Sequence, residues 1–140
     1  MPSDVTELAI FDLDYTLTCQ GTWGRFVRRA MKGQALGVPA LLCVAGWTQM
    51  WYKQGAVPRI AVKTAMMRQS MVGRTRQDLE TVADELVADD LKNGLRPRVL
   101  QAFRDHQDAG HTVLIASAAV DLLVERYCEA LRADGQVSTR

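Results

Sequence analysis

Two acidic residues lie close enough in the chain to act on one ligand. Asp12 and Asp14 directly follow the short apolar run Leu8-Ala9-Ile10-Phe11, which is typical of a strand buried on both faces. Side chains two positions apart on an extended segment share a face, so both carboxylates can address one small volume. Paired carboxylates repel each other unless a cation or a proton lies between them, which favours a hard divalent metal ion here. The alternative is a solvated turn after a strand.

A second polar position follows another apolar run. Residues 111–116 (HTVLIA) predict a buried strand that Ser117 closes. If the two strands are neighbours, the Ser117 hydroxyl and the backbone N–H groups after it face the same pocket as the two acids, at the sheet edge where open α/β folds bind ligands. An anion site opposite two acids indicates phosphate chemistry with Mg²⁺. Ser117 could also serve as a helix N-cap, and the two roles could coexist.

The segments around these strands predict an α/β fold. Helical spacing of apolar residues predicts helices at 22–33, 58–72, 75–93 and 97–110, and one more after Ser117. Thr75 is a good N-cap because Asp78 follows three residues later. Asp134-Gly135 turns the chain toward Val137, where a third strand could open. Two strands separated by a crossover predict a parallel sheet, and the helical block between them is too long for a simple crossover, which indicates an inserted cap.

The stretch at 33–52 contains no charged residue and meets the minimum length of a membrane span. Its glycines, its proline and its amides argue against a span and favour a buried or interface-forming pair of helices. A contact with the membrane surface would also fit, because basic residues and indoles flank the apolar stretch.

Charge is distributed unevenly along the chain. The totals of 17 basic and 16 acidic residues identify no partner, and a hydrophobic fraction of 48% excludes pervasive disorder. From Tyr15 to Gln77, however, ten Lys or Arg residues stand with no Asp or Glu, which favours an anionic ligand or surface near that block. A solvated basic helix face would give the same pattern, and no motif indicates nucleic-acid binding. Three widely spaced cysteines and the absence of a visible secretory signal predict a reduced, cytoplasmic setting.

The motifs resemble those of the haloacid dehalogenase-like (HAD) hydrolases, specifically subfamily IB, which carries a helical cap after the first strand and includes phosphoserine phosphatase. That family's first motif is a hydrophobic strand followed by Asp-x-Asp-x-Thr, matched here by residues 11–16. Its second is a strand ending in Ser or Thr, matched by residues 114–117. The resemblance implies a parallel Rossmann-like core formed by residues 1–18 and 95–140, with a helical cap at 19–94.

The resemblance also implies an activity, that of a Mg²⁺-dependent phosphomonoester hydrolase working through an aspartyl-phosphate intermediate. Asp12 would be the nucleophile and contact Mg²⁺, while Asp14 would act as acid and then base, with its backbone carbonyl on the metal. Thr16 would orient the loop. Ser117 and the backbone of Ala118 would hold the phosphoryl oxygens. A phosphotransferase that passes the group to another alcohol would use the same residues.

The sequence departs from the family pattern in ways that bear on activity and substrate. No lysine and no Gly-Asp pair follow Ser117, where the third and fourth motifs would stand. We therefore expect the chain to correspond to the N-terminal part of a longer hydrolase, to lack the C-terminal strands of the core, and to have weak or no activity itself. The open sheet edge beside Asp12 would then invite self-association. Residues 19–22 (CQGT) include no acid to grip a substrate ammonium group, which makes phosphoserine a less favoured substrate than a more anionic or apolar phosphomonoester.

A second hypothesis assigns the chain to a different class of protein, one without catalytic activity. The chain could be a non-catalytic module that keeps this fold and binds a membrane surface or a protein partner through its basic, Trp-rich cap.

Overall fold

Three parallel strands form one sheet in the described part of the chain. The computed structural model describes residues 7–34 and 36–139. The strands are β1 (Leu8–Asp12), β2 (Thr112–Val120) and β3 (Gly135–Thr139), paired in the order β1-β2-β3. The predicted third strand is therefore present, and the α/β class with a parallel sheet is confirmed. Residues 1–6 and 140 of the predicted core ranges lie outside the described residues.

Six α-helices occupy most of the remaining described chain. They are α1 (Thr22–Ala30), α2 (Gly37–Lys53), α3 (Arg59–Met71), α4 (Arg76–Asp89), α5 (Pro97–Asp108) and α6 (Asp121–Leu131). The predicted cap of α4 is confirmed, because the Asp78 N–H donates to the Thr75 hydroxyl and the Asp78 carboxylate accepts from the Thr75 N–H. Pro97 begins α5, where its missing N–H removes no helical hydrogen bond.

The chain divides into two compact units. One unit comprises the residues up to Trp23 and from Ala83 onward, and it contains the sheet, α5 and α6; the other is Gly24–Val82, which contains α2 and α3. The second unit falls inside the range 19–94 that the sequence predicts for the inserted cap. The cap bounds themselves stay a prediction.

One face of the sheet is packed against helices. Phe11 of β1 places its ring 5.1 Å from the ring of Phe103 in α5. The same face presents Val113 and Ile115 of β2, which are fully buried. Buried side chains of the helical layer complete this core, namely Phe103, Leu123, Val124, Tyr127 and Leu131. This packing holds the strands against the helices, and it thereby fixes the position of the carboxyl ends of the strands.

The opposite face of the sheet is uncovered in the part of the chain that the structure describes. Leu8 and Ile10 are each 57% exposed, and Val137 of β3 is exposed as well. The predicted burial of the first strand on both faces is therefore wrong for these residues. An apolar run predicts a strand, but its burial depends on elements that pack over it from elsewhere. Because β1 is also an edge strand here, the predicted open edge is present; self-association through it stays a prediction.

The uncharged stretch at 33–52 forms most of a single helix. The structure places α2 over Gly37–Lys53, and this helix pairs with the next one along the chain. Pro39 lies in the first turn, where proline is tolerated, and Gly46 weakens a helix interior by only about 1 kcal/mol, so neither residue ends the helix. Only Gly37 in α2 is buried, so the alternative of a buried helix is wrong, while the interface-forming alternative stays a prediction. No helix among the described residues is long and apolar enough to cross a membrane.

The helix α3 follows α2 after a short connection at 54–58, and the two helices pack against each other as a hairpin. Met67 and Met71 are half-buried, as expected of residues that fill a small core. Ile60 of the same helix is exposed. It lies in the first turn of α3, next to the connection.

Candidate active site

A tight turn anchors the acidic loop at the carboxyl end of β1. Asp12 ends the strand with extended backbone angles, and the turn Leu13–Leu17 follows. Leu13 and Leu17 are fully buried at its two ends, while Tyr15 between them adopts a left-handed φ of 59°. Both the N–H and the hydroxyl of Thr18 donate to the Leu13 carbonyl, at 3.0 and 2.9 Å. The loop is thus held by its two buried leucines and by the hydrogen bonds of Thr18, and its acids lie at the edge of the sheet.

The Asp12 carboxylate is exposed and is oriented from within its own loop. The Thr16 hydroxyl donates to Asp12 Oδ2 at 2.9 Å. Within residues 7–34 and 36–139, no group donates a hydrogen bond to Asp12 Oδ1. One oxygen of this carboxylate is therefore held in place, and the other is open to a ligand.

The Asp14 carboxylate is bound to the start of α1. Its Oδ1 accepts two hydrogen bonds from Thr22, one from the backbone N–H at 2.6 Å and one from the hydroxyl at 2.7 Å. Thr22 is fully buried and is the first residue of the helix, where backbone N–H groups favour a negative charge. Sequence reasoning used Thr22 only as a helix start and missed this contact. A threonine at a helix N-terminus shortly after an acidic loop is the signal that could have indicated it.

Ser117 lies within the second strand and not at its end. The register pairs Asp12 with Ala116, so Ser117 comes directly after the position level with the first acid. The strand β2 continues to Val120 because its pairing with β3 resumes after an irregularity between Ala116 and Val120. The expectation that Ser117 closes the strand is therefore wrong, as is its alternative role of N-cap, since Val120 precedes α6. The Ser117 hydroxyl oxygen instead accepts the Ala119 N–H at 3.0 Å.

A cleft at this edge of the sheet brings three of the predicted residues together. It is open to solvent, has a volume of about 450 Å³ and is lined by Asp12, Ala116, Ser117, Ala118, Val137 and Ser138. Asp12, Ser117 and Ala118 thus face one volume, whereas Asp14 and Thr16 are not among the residues that line it. A groove of similar size, about 480 Å³, runs along α3, but no carboxylate lines it. We therefore take the cleft at the sheet edge as the candidate site.

The third strand contributes a wall of the cleft that sequence reasoning missed. Ser138 lines the cleft, and its hydroxyl donates to Asp121 Oδ1 at 2.5 Å. The Gln136 side-chain amide donates to the same oxygen at 2.6 Å. Asp121 begins α6, so this carboxylate ties β3 to the start of that helix and holds the Ser138 side chain. Only the pairing of β2 with β3 brings these residues to the site.

The oxygen donors at this edge are of the kind that Mg²⁺ prefers. The described residues include no group of three or more His, Cys, Asp or Glu side chains that could hold a metal ion. Mg²⁺ in phosphate-processing sites, however, is bound through one or two carboxylates, with water and substrate phosphate completing its shell. The Asp12 carboxylate, which lines this cleft, is a donor of that kind. The family resemblance implies the backbone carbonyl of Asp14 as a second donor, while Asp14 Oδ1 accepts both hydrogen bonds of Thr22.

These features define a parallel α/β domain with a carboxylate at the end of its first strand and a hydroxyl on the second strand facing the same cleft. The family model of the haloacid dehalogenase-like hydrolases matches residues 9–140. The chain therefore belongs to that family, as its motifs predict. No curated protein matches the chain in a sequence search.

Solved structures share the fold at low sequence identity. A protein of unknown function from Bordetella pertussis Tohama I superposes with a TM-score of 0.74 at 21% identity, covering 96% of this chain and 61% of its own. A HAD family hydrolase from Salmonella enterica subsp. enterica serovar Typhi gives a TM-score of 0.61 at 17% identity, covering 98% and 41%. A phosphoserine phosphohydrolase-like protein from Francisella tularensis subsp. tularensis SCHU S4 gives 0.57 at 16%, covering 96% and 58%. The chain thus spans less than two thirds of the length of each.

Proposed function

We propose that the protein is a Mg²⁺-dependent phosphomonoester hydrolase in which Asp12 attacks phosphorus. The observation that carries this proposal is the cleft in which Asp12, with one unbonded carboxylate oxygen among the described residues, faces Ser117 and Ala118. Membership in a hydrolase family supports the reaction class. A small phosphorylated substrate fits a cleft of about 450 Å³, and nucleic acid is no part of the proposal.

In the first step Asp12 Oδ1 attacks the phosphorus atom of the ester. Thr16 holds Oδ2, so the attacking oxygen is presented toward the cleft. A bond forms between Oδ1 and phosphorus, and the bond from phosphorus to the ester oxygen breaks with its electron pair leaving on that oxygen. A carboxyl proton on Asp14 neutralises the leaving oxygen and releases the alcohol.

In the second step water cleaves the aspartyl-phosphate. Asp14 Oδ1 is held by both groups of Thr22, so Oδ2 is the oxygen that carries and receives the proton. Asp14 takes a proton from the water molecule while the water oxygen bonds to phosphorus. The bond between phosphorus and Asp12 Oδ1 then breaks, and its electron pair returns to Asp12. Free phosphate leaves, and both carboxyl groups return to their starting protonation states.

The remaining groups stabilise charge on the phosphoryl oxygens. Ser117 accepts a hydrogen bond from Ala119, which leaves its own proton to donate to a phosphoryl oxygen. The backbone beside Ala118 lines the same part of the cleft. The Asp12 carboxylate and the Asp14 carbonyl would hold Mg²⁺, which would supply positive charge to offset the charge on the transferring group.

The chain has no lysine and no Gly-Asp pair after Ser117, so we propose that these 140 residues turn over slowly or not at all. A cytoplasmic location is also proposed; the free thiols of Cys19, Cys43 and Cys128 fit a reducing compartment. A phosphotransferase, which would pass the phosphoryl group from Asp12 to another alcohol instead of to water, would use the same residues.

The test is covalent labelling with p-nitrophenyl phosphate and Mg²⁺, followed by acid quenching and mass spectrometry of the intact chain and its peptides. We expect one phosphoryl group on Asp12, lost in Asp12→Asn. Asp14→Asn should still be labelled, because p-nitrophenolate leaves without a proton, but should release phosphate at least about 100-fold more slowly. The exposed Asp108→Asn is the matched control and should behave as the parent. Label on another residue, or Mg²⁺-dependent turnover by Asp12→Asn, would contradict the assignment of the nucleophile.

A further inference from the structure

We propose that the hairpin of α2 and α3 binds the surface of an anionic lipid bilayer. Exposed large apolar side chains are concentrated on α2 and at Leu36, the residue directly before it. Seven of the fourteen such residues in the described chain lie between Leu36 and Tyr52. Leu42, near the middle of α2, is 67% exposed. A surface this apolar on one helix marks an interaction site.

The C-terminal end of α2 carries the residues that favour a membrane interface. Trp47 and Trp51 lie one helical turn apart with ring centroids 6.2 Å from each other, and they are 64% and 41% exposed. Met50 and Tyr52 beside them are exposed as well. Indole and phenol rings join a large apolar body to a polar group, which is why they concentrate at the headgroup level of bilayers. This cluster would enter the boundary between headgroups and acyl chains.

The charge around the cluster selects an anionic surface. The hairpin contains no Asp or Glu, and Lys53 and Arg59 lie exposed on either side of the connection between its helices. Lys53 directly follows the aromatic cluster and Arg59 begins the next helix, so both lie at the end of the hairpin where they can contact lipid phosphates as the rings insert. A second copy of the chain is a poorer occupant, because two hairpins face to face would bring like charges together.

The geometry indicates a helix that lies on the bilayer and does not cross it. No described helix is long and apolar enough to span a membrane. The uncharged part of α2 ends at Lys53, and polar Thr48 and Gln49 interrupt its apolar surface. Trp47, Met50 and Trp51 recur three and four positions apart and so share one face of α2, and this face is the part that would enter the interface.

The experiment is co-sedimentation of the full 140-residue chain with vesicles of phosphatidylglycerol and phosphatidylcholine, or of phosphatidylcholine alone. We expect binding to the anionic vesicles, at least about ten-fold weaker binding to the neutral ones, and loss of binding at high salt. Trp47→Ala with Trp51→Ala should lower the partition coefficient about ten-fold or more on anionic vesicles. Lys53→Glu with Arg59→Glu should do the same, and these exposed substitutions are not expected to disturb folding.

Two controls make the result specific. Leu91→Ala removes an exposed apolar residue outside the hairpin and should leave the partition coefficient unchanged. In a Trp23→Phe background, vesicles should shift the emission of the two remaining tryptophans to shorter wavelength. The proposal is overturned if anionic vesicles bind no protein at low salt, or if the hairpin variants bind like the parent. It is also overturned if the hairpin variants abolish self-association in vesicle-free solution, or if polyglutamate binds the hairpin while vesicles do not.

Discussion

Thr22 donates two hydrogen bonds to a single oxygen of Asp14, from its backbone N–H at 2.6 Å and from its hydroxyl at 2.7 Å. Thr22 is fully buried and begins α1, so the second acid of the loop is tied to a helix N-terminus eight residues further along the chain. The contact determines which carboxylate oxygen is engaged and which remains for proton transfer. The position of Asp14 therefore depends on a residue outside the acidic motif.

Replacing Thr22 by valine should destabilise the protein by about 1–2 kcal/mol, because a hydrogen bond to a charged carboxylate is lost while the shape of the side chain is kept. Urea unfolding monitored by circular dichroism measures the change. Thr64→Val, at an exposed position of α3, is the matched control and should change the unfolding free energy by less than about 0.5 kcal/mol. Equal effects of the two substitutions would show that the contact between Thr22 and Asp14 contributes little.

Gly94→Ala should destabilise the protein by about 2 kcal/mol or more, because a Cβ at this position would lie 2.1 Å from Asp90 Oδ1 and 2.6 Å from Asp90 Cγ. Asp90 cannot easily move aside, since its carboxylate is buried and Oδ2 accepts the Tyr127 hydroxyl at 2.5 Å. Thermal and urea unfolding provide the measurement.

The matched control is Gly46→Ala, in the interior of α2. A Cβ there meets nothing within 4 Å. Since alanine is the better helix former, this substitution should stabilise the protein by about 0.5–1 kcal/mol. A Gly94→Ala variant as stable as the parent would mean that Asp90 and its turn can shift without cost.

The three thiols should differ sharply in reactivity. Cys19 and Cys43 are exposed and should react with Ellman's reagent in the folded protein, whereas Cys128 is buried and should react only after unfolding. Burial raises the pKa of the Cys128 thiol from 9.0 to about 11, helped by the negative charges of Glu125 and Glu129. Rapid labelling of all three thiols in the native state would contradict this.

The same shift makes stability fall at alkaline pH. In the unfolded chain Cys128 loses its proton near pH 9, but in the folded chain only near pH 11. The unfolded state therefore binds fewer protons between these values, and the free energy of unfolding decreases as the pH rises through this window. Urea unfolding from pH 8 upward should show the decrease, and Cys128→Ala should reduce it. An identical alkaline slope in the variant would assign the loss of stability to other groups.

Asp78 should titrate below its ordinary value. The backbone N–H and then the hydroxyl of Thr75 stabilise the carboxylate and lower the pKa of Asp78 below 3.8, with a smaller contribution from the positive charge of Arg74. Because the folded pKa is the lower one, the stabilisation is present above pH 3.8 and is lost as the pH falls through the folded value. Carboxyl NMR titration measures it, and Thr75→Ala should move the midpoint upward. A midpoint at or above 3.8 in the parent would contradict the capping argument.

Local features of the fold could be read from residue order because their causes are local. Thr75 with Asp78 predicts the start of α4, and Pro97 predicts the start of α5, since capping and proline geometry depend on residues within one turn. The uncharged stretch at 33–52 misled for the same reason. Its composition favours burial, but α3 covers only part of α2 and leaves every residue of that helix except Gly37 half-buried or exposed, because burial depends on what packs against a helix.

The amino-acid order alone determined that two acids follow an apolar strand and that a serine stands on a second strand. Sheet pairing then decided the rest of the site. The register of β1 with β2 brought Asp12 level with Ala116, and the pairing of β2 with β3 added Ser138 to the cleft and extended β2 past Ser117. Strand pairing joins residues that are far apart in the chain, so spacing and periodicity, which describe only neighbours, could not show it.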